Sequence, residues 1–512
     1  MILNPPHAPE AGDDGRTTLD DLFRRAVARR PDALALADPP NREAFTDGAP
    51  LRLTYAQADR IVSAIAGRLL RLGLATDAVI GLQLPNTVEG VLTLLGVLRA
   101  GMIAAPLPLL WRRADAATAL RRLSARVIVA HSRISEFDHC ELATHAAAEV
   151  FQIRYVCGFG AKLPDGVIPF NELLTSEHAE PLPPVQRDGN PAAHVAVVTW
   201  DVTPDGLVPV ARNHAALIAG GLAIMLEGQL EQDATILSPC PPSTFAGLGL
   251  GLLPWLLTGG TLLLHHGFDA EAFAAQCHDG CDTVVLPAPV VPQLASAGLL
   301  DHPGLRNVLA LWRAPERLPA APAWHRPQIG LVDVLAFGEV ALFGTRRGAG
   351  GEPAPIPSGP VTAPRGAPGA IVVAELVRSD AGTLGVRGPL VPQHAFPPEA
   401  SGPQIKIDAG GLVDTGYACR LDRATQTLVI TGPPPGIVNV GGYRFLVREL
   451  AEMAARAESG AGIAALPDAL TGNRLAGHAA DRTAAQTVLT AFGANPLVAD
   501  AFRDRRRDGS TG

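Results

Sequence analysis

Cys277, His278 and Cys281 put three metal-capable side chains within five residues. Structural zinc takes four such ligands, and no second cluster lies near in sequence. The plain expectation is therefore free thiols in a reducing compartment, with Cys140, Cys157, Cys240 and Cys419 dispersed. No Ser-His-Asp or Cys-His arrangement can be assembled from spacing, which argues against nucleophilic catalysis. Only two lysines, Lys162 and Lys406, stand among the 42 lysines and arginines. A reaction that needs lysines at fixed places has little to draw on, although a bias toward Ala, Arg and Gly contributes to the deficit.

The charge balance excludes other classes. A formal charge of −8 disfavours a nucleic-acid surface, so no nucleic acid is expected as partner. Arg503, Arg505, Arg506 and Arg507 form a short basic tail, but Asp504 and Asp508 interrupt it, as in a solvated terminus. The most apolar region, Phe245 to Leu264, contains Pro254, Gly259 and Gly260. It reads as buried strand and helix segments, and no membrane span is expected. Met1 to Asp14 lacks a basic flank followed by an apolar run, so a cytoplasmic location is expected rather than secretion.

The elements that must position any site alternate. Apolar residues recur every three to four positions from Ala56 to Leu72 and again from Thr87 to Ala100, which ends at Gly101. Helices are also expected at Leu19 to Arg30, Ala215 to Leu226 and Ala270 to Cys277, and Leu489 to Ala501 is expected to be a late helical portion. Short apolar runs at Val79 to Leu84, Met102 to Pro106, Val127 to Ala130, His194 to Trp200, Thr235 to Ser238, Thr261 to His265 and Thr283 to Leu286 read as strands. This order predicts a mostly parallel sheet covered on both faces. After about residue 350 the segments shorten. Ala370 to Ala374 and Thr383 to Arg387 suit a smaller, more antiparallel sheet. Pro433-Pro434-Pro435 lacks backbone donors and marks the expected boundary. Residues 1–432 would form one lobe and 433–512 a smaller one, with a hinge at 433–436.

Leu53-Thr54-Tyr55, Asn86, Val97-Leu98-Arg99-Ala100-Gly101 and Leu384-Gly385-Val386-Arg387-Gly388-Pro389 follow one another in a specific order. Gly441-Gly442, Arg448-Glu449-Leu450 and Pro467-Asp468 through Gly472 continue it. Together these segments span some 420 residues, and the chain resembles the adenylate-forming superfamily: acyl-CoA synthetases, aryl-acid ligases, nonribosomal adenylation domains and luciferases. The resemblance implies an α/β fold: a large N-terminal lobe of mixed and parallel sheets with flanking helices, plus a small, shortened α+β C-terminal lobe. It also implies nucleotide and acyl sites, which this chain departs from one by one.

The family's phosphate loop exposes backbone donors on small residues and ends in Pro-Lys. The matching stretch runs from Thr199 to Val210; Thr199, Thr203, Gly206 and Pro209 keep the pattern, and Val210 stands at the lysine. Trp200 would crowd such a loop, and Asp201 and Asp205 would repel a polyphosphate unless magnesium intervened. The adenine segment is matched by Phe337-Gly338-Glu339-Val340. Phe337 would stack on a base or fill the core, and Glu339 would hold magnesium or face solvent; sequence leaves both pairs open. His214 matches a position often occupied by His, and equally suits a helix start. Asp414-Thr415-Gly416 is followed by Tyr417 where the family binds ribose with Asp; a phenol lacks the carboxylate's paired acceptors. Gly432-Pro433 replaces the pre-hinge Gly-Arg pair, and Pro435 stiffens the pivot, leaving Gly436 as the freer joint. Pro467 to Asn473 aligns best with an earlier strand-turn of the small lobe, so the terminal lysine segment is expected to be lacking.

Losing one charged oxyanion donor costs about 3–4 kcal/mol, and here several are replaced together, with Arg444 and Arg448 the only compensators in view. The resemblance therefore implies a noncatalytic or strongly impaired member, a pseudoenzyme that keeps an acyl or aromatic carboxylate pocket near Phe245, Leu286 and Pro287, or serves a protein partner. The alternative is an active ATP-dependent acyl-CoA synthetase or acid:AMP ligase, for which ATP, AMP and Mg would be the cofactors. An acyltransferase using a preactivated substrate is a third class.

Overall fold

The computed structural model describes residues 15–176, 180–365, 368–398 and 402–503. Met1 to Asp14 and the basic tail beyond Arg503 lie outside them. Two large sheets dominate. In the first, Val79–Gln83, Ile103–Pro106, Val127–His131, Tyr155–Phe159, Ile168–Pro169 and Val195–Thr203 run parallel, and Gly206–Asn213 closes one edge antiparallel. In the second, Leu34–Ala37, Thr235–Ser238, Thr261–Leu264, Thr283–Pro287, Asn307–Trp312 and Gly330–Phe337 are parallel. Ala341–Arg346 and Arg52–Thr54 add antiparallel edges. Sequence missed several of these strands, but the parallel, double-covered architecture is the one expected.

Helix Tyr55–Arg71 begins with a reciprocal cap, Thr54 and Gln57 each bonding the other's backbone N–H. Helix Val88–Arg99 is buried along its whole length, so its apolar residues cover all faces rather than one. The two helices approach at Gly96, where an added Cβ would lie 2.6 Å from Ile65 Cγ2. Arg99 is buried with them, pairing with Asp20 at 2.8 Å and Asp59 at 2.7 Å.

A six-stranded antiparallel sheet follows, built from residues 356 to 432. The prolines 433 to 435 and Gly436, at φ +71°, then lead into a separate four-stranded sheet over 437–478. Helices Val447–Ala457 and Arg482–Phe492 share an apolar cluster with that sheet. The late helical portion expected over Leu489 to Ala501 is present, in pieces. Gly493, at φ +81°, ends one helix, and Asn495 caps a new one that starts at Pro496.

The apolar stretch after Thr244 folds as short helical turns, Phe245–Gly247, Leu248–Leu252 and Leu253–Thr258, then strand Thr261–Leu264. Among the described residues no helix is long and apolar enough to cross a membrane. All six cysteines are buried and free. Cys281 donates to the Thr283 carbonyl at 3.2 Å, and His278 turns edge-on to His302.

Candidate nucleotide and acyl site

The stretch matched to a phosphate loop is a hairpin. Strands Val195–Thr203 and Gly206–Asn213 pair in register from Thr199↔Val210 to Thr203↔Gly206, leaving Pro204 and Asp205 as a two-residue turn. Backbone groups that an open loop would expose face across a ladder instead. Thr199 is buried; the Thr203 hydroxyl donates to the Gly206 carbonyl at 3.2 Å. Gly206 sits at φ +132° against Pro403. Trp200 is buried edge-on to Trp111. Asp205, at the tip, pairs on the surface with Lys406 at 2.6 Å, which occupies one of the chain's two lysines.

Asp201 points inward and is buried. Its Oδ1 accepts from the Val202 N–H at 2.8 Å and from Arg444 Nη1 at 2.6 Å; its Oδ2 accepts from the Glu339 N–H at 2.8 Å. Arg444 comes from strand Tyr443–Leu446 of the C-terminal sheet. Its Nη2 donates to the Tyr417 hydroxyl at 2.5 Å. Burial opposes the Arg444 charge, but Asp201 and Tyr417 outweigh it and hold the guanidinium firmly protonated. Burial raises the Tyr417 phenol, so it stays neutral. Gly338, at φ +58°, leaves the room that this pair fills, since a Cβ there would meet Asp201 and Arg444.

The adenine-like segment is equally occupied. Phe337 is buried at the end of strand Gly330–Phe337 and meets Tyr417 edge-on, ring centres 5.6 Å apart. Glu339 is buried, and its Oε2 accepts from the Phe245 N–H at 2.6 Å. Burial, then the charge of Asp201, pushes the Glu339 carboxyl up to about 7. Of the two readings for each residue, Phe337 takes the core one, and Glu339 faces protein rather than solvent. Arg212, buried beneath them, donates to the Glu339 and Val340 carbonyls. Its guanidinium lies 3.6 Å over the Phe245 ring, and burial lowers its pKa to about 10.

The structure thus brings Thr199, Phe337, Gly338, Glu339 and Tyr417 together and leaves Asp414 out. Asp414 is exposed, accepting from Thr383 Oγ1 at 2.8 Å and from the Gly416 N–H at 2.8 Å. His214 starts helix His214–Gly228, where its Nδ1 accepts from the Leu19 N–H at 3.2 Å. Burial, with Arg187 nearby, lowers its pKa to about 4, so it stays a neutral acceptor. Phe245 and Leu286 are buried and Pro287 is exposed.

A cavity of about 250 Å³ remains between the hairpin and the C-terminal sheet, bordered by Trp111, Trp200, Arg313, Gly338, Gly442 and Tyr443. The C-terminal elements close it through three further contacts. The Tyr443 hydroxyl accepts from the Leu110 N–H at 3.2 Å, Arg448 donates to the Pro204 carbonyl at 2.6 Å, and Arg317 donates to the Asp468 and Gly472 carbonyls at 2.9 Å.

Residues 23–199 match the family described as AMP-binding enzyme. The amide bond synthetase McbA from Marinactinospora thermotolerans superposes with a TM-score of 0.70 over 94% of both chains, at 17% identity. The chain has the fold of these adenylate-forming ligases, and its residues 23–199 carry the family's sequence pattern. Among superfamily structures, apo MbtA of Mycobacterium smegmatis gives a TM-score of 0.61 at 21% identity, covering 94% of this chain and 90% of that one. Human long-chain fatty acid transport protein 1 is 26% identical over 267 residues, 51% of this chain. The sulfoacetate–CoA ligase of Cupriavidus necator is 25% identical over 351 residues, 66% of this chain. The matched regions span 39% and 62% of those two relatives.

Within this adenylate-forming fold, sequence reading passed over Arg212 and Arg313. Arg212 carried a signal, a lone charge in the apolar strand Gly206–Asn213. Arg313, just after strand Asn307–Trp312, carried none.

Proposed function

We propose that this member of the superfamily is noncatalytic or strongly impaired, and holds a carboxylate without activating it. The observation that carries the reading is the Arg444 guanidinium, bonded at once to Asp201 and Tyr417. Those two residues stand where the resemblance expects phosphate and ribose contacts. A buried, mutually neutralised pair is a poor receptor for a polyphosphate, because the ligand would have to break it and leave a carboxylate facing its own charge.

The hairpin supports the same conclusion. A two-residue turn presents few free amides, and its one acidic tip is already paired with Lys406. ATP with magnesium fits these residues poorly: Glu339, for which magnesium binding was one of two open readings, is buried and accepts from a backbone N–H. The contacts from Tyr443, Arg448 and Arg317 hold the C-terminal sheet against the hairpin, which opposes the swing that acyl transfer needs. A cytoplasmic setting suits six buried free thiols.

The test is calorimetry with MgATP and with AMP, paired with an acid-dependent pyrophosphate assay over a broad panel of acids. Neither nucleotide should bind at millimolar concentration, and no pyrophosphate should appear above background. Pyrophosphate release that depends on the added acid would establish the active-ligase alternative.

A further inference from the structure

We propose that the surface corner formed by Phe151, Arg121, Arg126 and Arg154 docks this chain on an anionic lipid surface, with no spanning segment. The turn after helix His139–Glu149 builds the tip of that corner. The Ile153 N–H donates to the Val150 carbonyl at 3.0 Å; Val150 is buried, and Ile153 packs against an apolar cluster of the first sheet. With both of these apolar residues turned inward, Phe151 is left 97% exposed. Its ring makes almost no contact with its own chain, so the hydrophobic gain of burying it is left to a partner.

Three arginines share the corner. The Arg154 N–H donates to the Arg126 carbonyl at 2.8 Å, where the paired strands Val127–His131 and Tyr155–Phe159 begin. Arg121 Nη2 donates to the Glu149 carbonyl at 3.3 Å, at the end of the helix that leads into the turn. All three are exposed, and among the described residues none of them forms an ion pair. Glu149, the carboxylate beside the turn, is already matched by Arg113 at 3.1 Å. Unbalanced positive charge therefore stands next to an apolar ring. Close to an anionic leaflet, each such arginine raises partitioning about fivefold. The chain's formal charge of −8 opposes this little, because charges beyond about 8 Å are screened at physiological salt. A lipid surface also fits better than an acidic protein. The ring stands clear of its surroundings, so a protein would have to supply a shaped pocket, whereas a bilayer interface takes a single aromatic without one.

The test sediments the full chain with vesicles of phosphatidylcholine alone and of phosphatidylcholine with an equal part of phosphatidylglycerol. Partitioning onto the anionic vesicles should be at least about tenfold stronger, and molar sodium chloride, which shortens the screening length to about 3 Å, should release the protein. Arg126→Gln combined with Arg154→Gln should weaken binding about thirtyfold, and Phe151→Ser about tenfold. All three positions are exposed, so the melting temperature of these variants should match that of the wild-type chain. Phe151→Trp should keep the binding, and lipids brominated along their acyl chains should quench the fluorescence it adds. No binding to anionic vesicles, equal binding to both vesicle types, or a charge or Phe151→Ser variant that binds like wild type would overturn the proposal. Capture of polyglutamate without capture of vesicles would assign the corner to an acidic protein and overturn it as well.

Discussion

Two buried charge clusters in this chain are built on opposite terms. In the first, Arg42 serves two carboxylates, Asp38 at 2.5 Å and Glu89 at 2.9 Å, with His131 Nε2 3.7 Å from Glu89. One Glu89 oxygen finds no partner, and burial, followed by the charge of Glu89, pushes Asp38 up to about 6. In the second, Arg444 serves a single carboxylate, and backbone N–H groups complete Asp201. The first cluster is short of positive charge and joins segments less than 100 residues apart. The second is balanced, and it joins positions 243 residues apart. An electrostatically complete cluster has little left to offer a charged ligand.

The sharpest way to break this contrast is Arg42→Met, which strands two buried carboxylates. The expected loss is upward of about 5 kcal/mol, seen as little soluble protein; a melting temperature within a few degrees of wild type would mean that the cluster is uncharged. Arg444→Met strands only Asp201 and should lose about 3–5 kcal/mol in urea unfolding. Adding Asp201→Leu should restore most of that loss, and if the double variant is no better than the single, the two residues are not a pair.

Glu339 sharpens the comparison through pH. Its folded pKa of about 7 lies above the ordinary 4.5, so the native state holds the proton more tightly than the unfolded chain. Its contribution is complete below 4.5 and is lost as pH rises through 7, by about 3 kcal/mol. Glu339→Gln should remove that part of the slope between pH 4.5 and 8, and an unaltered slope would assign it to other groups. The smallest effect is expected at Arg448→Ala. This exposed bond to the Pro204 carbonyl should change stability by no more than about 0.5 kcal/mol.

Much of the frame was legible because burial repeats. The helices near Ala56, Thr87 and Ala270 were placed within a residue or two of Tyr55–Arg71, Val88–Arg99 and Ala270–His278, since 3.6-residue periodicity and caps mark them locally. Strand Gly330–Phe337 escaped notice because Asp333 interrupts its apolar run. That carboxylate is paid for by Arg347 at 2.7 Å and by Trp312 Nε1 at 2.8 Å, partners that no local pattern announces. The hairpin of residues 195–213 was half seen: its first strand was read, while its second was taken for a loop by analogy.

Sequence by itself determined the parallel sheets and the residue types, Val210 and Tyr417 where the resemblance expects lysine and aspartate, because these are properties of residue type and local spacing. It could not say where Asp201 and Arg444 point. Only the tertiary structure set the guanidinium of one sheet between the carboxylate and phenol of others, and turned Asp414 outward. The physical reason is that charge neutralisation acts through space over a few ångströms, and the residues that satisfy it here lie up to 243 positions apart along the chain.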